Sequence, residues 1–305
     1  MFRDILIPLD GSRFAEAALP FGARLAQRAR ARLHLMLAHE PMGALVGMGD
    51  LVVPPPELDE GWRERERAYL GRTAEALRAE SDRPVGLREA AGAAGPEICE
   101  EASRLEADLV IMATHGRGTF RRMWLGSVSD YVIRHMAVPV LLVPPRPDGT
   151  PSPDTGVRRI LVGLDLSADA EAILEPVAEL AMLHGASVTL MHVAEIIFEV
   201  GKLTGANPVV MDSGLLEASR AEAEIQLERV AKRLRERGIT VETRVVTGIN
   251  AAGGLLEALA HERFDLVALT THGRGGLRRL LLGSVADKVI RGAATPVLVL
   301  RPPLA

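Results

Sequence analysis

The sequence contains the segment THGRGTFRRMWLGSVSDYVIR at positions 114–134 and a close copy, THGRGGLRRLLLGSVADKVIR, at positions 271–291. Extended through the following Pro-Val-Leu of each copy, the two segments are identical at about twenty of some thirty positions. A long self-match at a fixed spacing is typical of an internal repeat. The chain is therefore predicted to be a duplication.

The segments around each copy alternate short apolar runs with amphipathic stretches. DILIPLD at 4–10 corresponds to RILVGLD at 159–165, and each apolar run ends in an acid, as expected of a buried strand. Such alternation continues through both halves and predicts βαβ units, a parallel sheet and helices on both faces. The fold class is α/β, with two tandem doubly wound domains. In the first half, the predicted elements after the opening strand are helix 13–29, strand 33–39, helix 62–79, strand 85–91, helix 96–105, strand 108–114, helix 127–135 and strand 138–143.

The length of 305 residues fits two domains of about 150 residues each. Prolines and glycines crowd the stretch between the halves, which cannot sustain a helix or a central strand. The predicted domains are 1–145 and 158–305, joined by a linker at 146–157. Two further segments, 41–60 and 195–214, are too long for ordinary βα turns and are predicted to be lids or interface loops.

The composition excludes several classes of protein. No apolar run approaches the roughly 18 residues of a membrane helix, so no membrane association is expected. The single cysteine, Cys99, excludes an intrachain disulfide and a cysteine-based metal cluster within one chain. A net charge of -4 and only 3% aromatic residues argue against nucleic acid as a ligand. The N-terminus has an acid where a signal peptide would be apolar, so a cytoplasmic location is expected.

The duplicated segment carries the candidate chemistry. In an open parallel sheet, ligands lie outside the carboxyl ends of the strands, where the strand order reverses. Asp10 and Asp165 end first strands, and the repeated Gly- and Arg-rich loop leads to Gly126-Ser127 or Gly283-Ser284 at the start of a helix. A helix N-terminus with glycine close by suits a phosphate. The simpler alternatives are a plain turn into a helix, and helix capping by the acid and serine after the first strand.

This pattern resembles the nucleotide motif of the universal stress protein family, which reads glycine, two residues, glycine, nine residues, glycine, then serine or threonine. Gly116 and Gly126-Ser127 fit it, as do Gly273 and Gly283-Ser284. The resemblance spans nearly the whole chain as a tandem pair. It implies a five-stranded parallel sheet of order 3-2-1-4-5 in each domain, and pairing through the last strand as a homodimer or an intrachain pseudo-dimer.

The resemblance also implies a set of nucleotide-binding residues. In it, Asp10 and Asp165 contact the ribose or the metal-phosphate end, and Glu40 and Val193, each following a histidine of the second strand, lie near the adenine. The loop glycines and helix starts hold ribose and phosphates. The complete predicted set is Pro8, Asp10, Glu40, Met112, Ala113, Gly116, Gly126, Ser127 and Val128 in the first half, and Asp165, Val193, Thr270, Gly273, Gly283, Ser284 and Val285 in the second.

Two departures from the family pattern distinguish the halves. Ala113 and Thr270 replace the first glycine of the motif, and the β-branched Thr270 obstructs a close approach more than alanine does. Val193 keeps an apolar adenine contact, whereas Glu40 does not. The two sites are therefore expected to be unequal.

The leading functional hypothesis is a cytoplasmic stress-response protein that binds ATP, with or without Mg²⁺, as a switch toward an unknown protein partner. Hydrolysis is expected to be slow or absent, because no Walker lysine loop and no water-activating base is found. No catalytic residue and no protein metal site is predicted. The alternative is a nucleotide-free dimerising scaffold that binds proteins through 41–60 and 195–214. An adenylating enzyme is a weaker third, because the glycine-rich pyrophosphate loop expected after the first strand is missing.

Overall fold

A computed structural model describes residues 2–41, 45–47, 50–52, 56–80, 83–114, 125–146, 148, 156–195, 198–199, 209–210, 213–271 and 282–302. The chain divides into two compact units, residues 1–155 and 156–305. Each unit alternates strands with helices along the chain, as its apolar periodicity predicts.

The first unit opens with a buried strand and a short 3₁₀ turn at Ala15–Ala18. Its elements are β1 (Asp4–Leu9), α1 (Leu19–Ala29), β2 (Arg32–His39), β3 (Leu45–Gly47), β4 (Asp50–Val52), α2 (Pro56–Glu80), β5 (Val85–Ala91), α3 (Ala94–Arg104), β6 (Leu109–Ala113), α4 (Ser127–His135) and β7 (Val140–Val143).

The second unit repeats this order. Its elements are β8 (Arg159–Gly163), α5 (Ala168–Glu171), α6 (Leu174–His184), β9 (Ser187–Glu195), β10 (Phe198–Glu199), β11 (Val209–Val210), α7 (Ser213–Arg235), β12 (Val241–Gly248), α8 (Ala251–His261), β13 (Leu266–Thr270), α9 (Ser284–Gly292) and β14 (Val297–Leu300).

Each unit has one five-stranded parallel sheet. The order is β5-β2-β1-β6-β7 in the first unit and β12-β9-β8-β13-β14 in the second. Numbered by the main strands of each unit, both orders are 3-2-1-4-5. The predicted fold class is confirmed.

The strand order reverses between the first and fourth strands, and the ladder there is short. β1 pairs with β6 only at Ile5–Leu109 and Leu6–Val110, although both strands continue beyond this point. At the other end of these strands, the Asp108 carboxylate accepts hydrogen bonds from the backbone N–H groups of Arg3 and Asp4, at 2.7 and 3.0 Å. The strands are thus held together at their amino ends, and the carboxyl ends border the crevice where ligands of such folds lie.

Two boundaries differ from the sequence prediction. The helix predicted at 13–29 begins with the 3₁₀ turn, and the α-helix starts only at Leu19, with Pro20 in its first turn. Helix α2 begins at Pro56 rather than near residue 62, because proline suits the first helical position and Glu57 and Asp59 favour the helix dipole there. The long segment predicted at 41–60 is therefore shorter, and its described part includes the antiparallel pair β3 and β4.

Candidate functional site

The turn after the first strand is built in the same way in both units. The Asp10 carboxylate accepts a hydrogen bond from Ser12 N–H at 2.9 Å, and the Ser12 hydroxyl accepts one from Ala15 N–H at 3.2 Å. These are the local hydrogen bonds that Asp and Ser side chains make in a turn before a helix. Asp10 also stands at the carboxyl edge of the sheet, so the capping geometry and ligand contact remain compatible.

The second unit repeats this turn with one difference in its backbone. The Asp165 carboxylate accepts hydrogen bonds from the Ser167 N–H and hydroxyl, at 3.0 and 2.6 Å, and the Ser167 hydroxyl caps Ala170 N–H at 3.1 Å. Residue Gly11 has φ +80° and its counterpart Leu166 has φ +66°. A left-handed leucine is strained by about 1–2 kcal/mol, so the turn is kept in the second unit at a conformational cost.

The duplicated loop is closed at its base by the same hydrogen bond in both units. Gly126 N–H donates to the Thr114 carbonyl at 2.9 Å, and Gly283 N–H donates to the Thr271 carbonyl at 2.8 Å. The loop interior, including the predicted residues Gly116 and Gly273, lies outside the described residues. The structure therefore fixes where each loop leaves its strand and where it enters its helix.

The helix that follows the loop starts without a side-chain cap. Gly126 is the N-cap residue of α4, with φ -62° and ψ 147°, and Gly283 is the N-cap residue of α9, with φ -60° and ψ 146°. Neither N-cap residue makes a side-chain hydrogen bond. The first helical hydrogen bond joins Asp130 N–H to the Gly126 carbonyl at 2.9 Å. The N–H groups of Ser127 and Val128 precede that bond, and Ser284 and Val285 repeat the arrangement. These N–H groups can donate hydrogen bonds to an anion, and the positive end of the helix dipole favours a negative charge at the same place.

The residues at the motif's first-glycine position end their strands as the sequence predicts. Ala113 and Thr270 are the last residues of β6 and β13, and both are buried. In the first unit the Ser129 hydroxyl donates to the Ala113 carbonyl at 3.0 Å, so α4 is tied to the end of β6. Pro8 and Met112 are buried within β1 and β6, so they line the sheet side of this edge.

The strand register corrects one predicted correspondence. Asp4 lies opposite Arg32 in the first unit, and its counterpart Arg159 lies opposite Ser187 in the second. Counting along β2 and β9 from these pairs makes Glu40 equivalent to Glu195, and not to Val193.

Hydrogen bonds support this register. Ala94 N–H donates to the Glu40 carboxylate at 3.3 Å, and Ala251 N–H donates to the Glu195 carboxylate at 2.8 Å. Both acids therefore hold the N-terminus of the helix after the third strand. The counterpart of Val193 is Ala38, which the prediction missed because it aligned the histidines of LMLAHE and LMHVAE rather than the strands. An ungapped alignment of those six residues gives the correct pairing.

One further residue approaches the first site from α2. Burial, and after it the Glu16 carboxylate, raises the pKa of Tyr69, and the Asp10 charge adds to the effect. The Tyr69 hydroxyl is buried within the packing of α2. No sequence motif indicates this residue, because it is brought to the Asp10 turn by the docking of a helix about 60 residues away in the chain.

Within the described residues, no group of three or more His, Cys, Asp or Glu side chains is arranged to hold a metal ion. No described helix has both the length and the apolarity needed to cross a membrane.

The fold and these strand ends define a tandem protein of two doubly wound α/β domains, each with a helix that begins at a glycine N-cap at the point where strand order reverses. Two segments, residues 1–144 and 156–301, match the model of the Universal stress protein family. The chain belongs to the universal stress protein family.

Known proteins resemble the chain over nearly its full length. It is similar to Universal stress protein Rv2005c of Mycobacterium tuberculosis, with 29% identity over 304 residues that cover 97% of this chain and 96% of the relative. A universal stress protein structure from Archaeoglobus fulgidus matches with a TM-score of 0.69 and 20% identity, covering 98% of this chain and 96% of that one. At this identity the match supports the fold of the chain alone. A universal stress protein solved in complex with cAMP covers 47% of this chain and 96% of its own at 22% identity, with a TM-score of 0.36.

Proposed function

We propose that the chain is a cytoplasmic stress-response protein that binds ATP or a related adenine nucleotide in each domain. Binding acts as a regulatory switch toward a protein partner, with slow or no hydrolysis. The phosphates lie at the N-termini of α4 and α9, with Asp10 and Asp165 at the ribose or the metal-phosphate end.

One observation carries this proposal. Both units present a helix whose N-cap residue is glycine, so no N-cap side chain competes for its first N–H groups. Ser, Thr, Asp and Asn are the preferred N-cap residues of helices, and the second unit uses Asn250 in this way at α8, where its side chain accepts a hydrogen bond from Gly253 N–H at 2.7 Å. The two helices with glycine N-caps begin at the strand edge where ligands of doubly wound folds bind, which favours an anionic ligand there.

The base end of the proposed ligand lies against the end of the second strand. Val193, and its structural counterpart Ala38, are proposed as the adenine contacts. Val193 packs closely on the helix after the third strand, because a Cβ added at Gly254 would lie 2.8 Å from its side chain. The proposed adenine contact of the second domain is therefore an apolar side chain packed against α8, and that of the first domain is the smaller alanine.

The binding test uses substitutions at the two N-cap glycines. Because φ and ψ at these positions are open to any residue, Gly126→Val and Gly283→Val each remove one site by blocking the approach of phosphate, without backbone strain. Isothermal titration with ATP is expected to give two sites per wild-type chain, one in each single variant and none in the double variant. Gly71→Val is the matched control, since a Cβ there meets open space on α2.

A second variant separates binding from folding. Gly126→Ser gives α4 a favourable cap whose hydroxyl competes for the same N–H groups, so stability should hold or rise while affinity for ATP at the first site falls about tenfold or more. Equal binding heats in the wild type and the double valine variant would refute the proposed sites. Capture of a protein partner that is indifferent to ATP would favour the scaffold alternative.

A further inference from the structure

One cluster around a buried histidine exists in the first unit and has no counterpart among the described residues of the second. His39, at the carboxyl end of β2, lies between two carboxylates of α2: its Nδ1 is 2.7 Å from Glu66 Oε2, and its Nε2 is 2.9 Å from Asp59 Oδ1. The histidine is 7% exposed, and the Glu66 side chain is 11% exposed. This cluster, called the His39 clamp below, fastens the first turns of α2 to the end of the second strand.

In the second unit, small apolar residues occupy the positions equivalent to His39 and Glu66. Arg78 donates to the Val85 carbonyl and Arg235 to the Val241 carbonyl, and both valines open the third strand, so α2 and α7 align through these arginines. In this alignment Glu66 corresponds to Ala223. The strand register makes His39 correspond to Ala194. Ala194 and Ala223 are both buried, so a charged histidine–glutamate contact in one unit is an alanine pair in the other.

The geometry of the clamp requires a particular protonation state. A neutral imidazole has one N–H donor and one acceptor, whereas an ionised carboxylate only accepts. Two ring nitrogens within 3 Å of two carboxylates are both satisfied only when the ring carries both protons. Loss of one proton leaves a nitrogen lone pair facing a carboxylate oxygen in a buried place. Other described histidines differ: His34 is hydrogen-bonded to the Asp4 carboxylate, and His192 to the Leu164 backbone carbonyl.

The His39 clamp lies next to the carboxyl ends of the strands, where the nucleotide is proposed to bind. The His39 carbonyl accepts a hydrogen bond from Gly92 N–H at 3.0 Å, and the next residue, Glu40, holds the N-terminus of α3. His39 therefore links α2 with the carboxyl ends of β2 and β5. The base contact proposed at Ala38 is the residue before it.

We propose that His39, Asp59 and Glu66 form a pH-responsive clamp that holds α2 against the nucleotide edge of the first domain alone. His39 acts as a positioning residue there. The clamp makes the first domain more rigid, and its ligand better retained, at mildly acidic than at mildly alkaline pH. The part about ligand retention rests on the proposed function.

The direction of the pH effect follows from the charges around the ring. Burial by itself lowers the pKa of His39, but the hydrogen bonds with Asp59 and Glu66 outweigh it and raise that pKa above its usual value of 6.5. A raised pKa means that the stabilisation is complete below the unfolded value and is lost as the pH rises through the folded value. The charged groups of the packed elements are Asp59, Arg63, Glu66 and Arg67 on α2, Glu89 on β5, Glu40 after β2 and Glu97 on α3 beside Gly92.

The test compares two helices within one chain. Amide hydrogen exchange of the full-length protein without nucleotide is measured at about pH 6 and about pH 8.5, on either side of the range in which histidines titrate, and is corrected for the intrinsic pH dependence of exchange. Peptides from α2 are expected to lose protection severalfold at the higher pH relative to peptides from α7. Helix α7 is the internal control, because the equivalents of Asp59 and Glu66 on it are Leu216 and Ala223, which do not titrate.

Variants identify the titrating group. His39→Gln keeps a polar side chain that does not titrate, and His39→Ala with Glu66→Ala copies the pair that the second unit already tolerates; both are expected to remove the pH dependence of α2. His34→Gln is the matched histidine control and should leave it unchanged. Parallel behaviour of α2 and α7 in the wild type, or a pH dependence of α2 that survives in both variants, would overturn the clamp.

The link to ligand binding has its own measurement. In Gly283→Val, which keeps only the first site, ATP is expected to bind more tightly at about pH 6 than at about pH 8.5, and His39→Gln in that background should flatten the difference. Absence of ATP binding at either pH would refute the proposed function while the exchange result still stands. Binding of equal strength at both pH values would refute the regulation only.

Discussion

Gly95, in the first turn of α3, packs directly against Tyr131 of α4. A Cβ added at Gly95 would lie 2.6 Å from Tyr131 Cδ1, 2.8 Å from Cγ and 3.1 Å from Cβ. Non-bonded carbon atoms prefer about 3.5–4.0 Å, so Gly95→Ala requires α3 and α4 to separate by roughly 1 Å. The ring cannot simply rotate away, because the nearest atoms include the Cβ and because the ring stacks on His135 with centroids 3.9 Å apart.

The expected cost follows from two opposing effects. Overpacking of this kind costs about 1–3 kcal/mol, and replacing glycine by alanine in a helix returns up to about 1 kcal/mol. Gly95→Ala should therefore destabilise the first domain by about 1–2 kcal/mol. In a Tyr131→Ala background the ring is absent and only the Cβ contact at 3.1 Å remains, so the same substitution should become close to neutral. The second domain has Ala252 and the flexible Lys288 at the equivalent positions, so an alanine is tolerated where no ring faces it.

The assay uses the placement of the tryptophans. Both Trp62 and Trp124 belong to the first half of the chain, so intrinsic fluorescence during urea unfolding reports on that domain. A double-mutant cycle of Gly95→Ala and Tyr131→Ala gives the coupling between the helices. A coupling below about 0.5 kcal/mol, or a Gly95→Ala variant as stable as the wild type, would show that α3 and α4 do not pack as closely as the structure has them.

Two further predictions use differences between the domains. Ser129→Ala removes the hydrogen bond to the buried Ala113 carbonyl and should destabilise the first domain by about 1 kcal/mol in the same fluorescence assay. The second domain has Ala286 at the equivalent position, which has no hydroxyl to make this bond. Unchanged stability of Ser129→Ala would contradict the tie between α4 and β6. Hydrogen bonds from Arg244 and Arg159 lower the pKa of Glu262 to about 2, so its stabilisation is present above the unfolded value of 4.5 and is lost as the pH falls through about 2. Glu262→Gln should weaken the second domain at neutral pH and flatten its loss of stability between those values, measured by hydrogen exchange of α8 peptides; an unchanged acid profile would exclude this ion pair as the cause.

The sequence alone determined the duplication, the alternation of strands and helices, and the Gly-Ser helix starts that follow each repeated loop. These features are local: the period of apolar residues distinguishes strand from helix, and glycine with serine marks a helix entrance within a few residues. The strand order 3-2-1-4-5 came from the resemblance carried by those motifs. The structure confirmed the alternation of strands and helices and the strand order.

Only the tertiary structure decided which residues face one another across elements. Parallel strands can be aligned in several registers that keep the same apolar pattern, and only the observed pairing makes Ala38, and not Glu40, the counterpart of Val193. The His39 clamp joins residues 20 and 27 positions apart through the docking of α2 on the sheet. The same holds for Gly95 and Tyr131. Such contacts depend on how whole elements pack, and local periodicity carries no record of that packing.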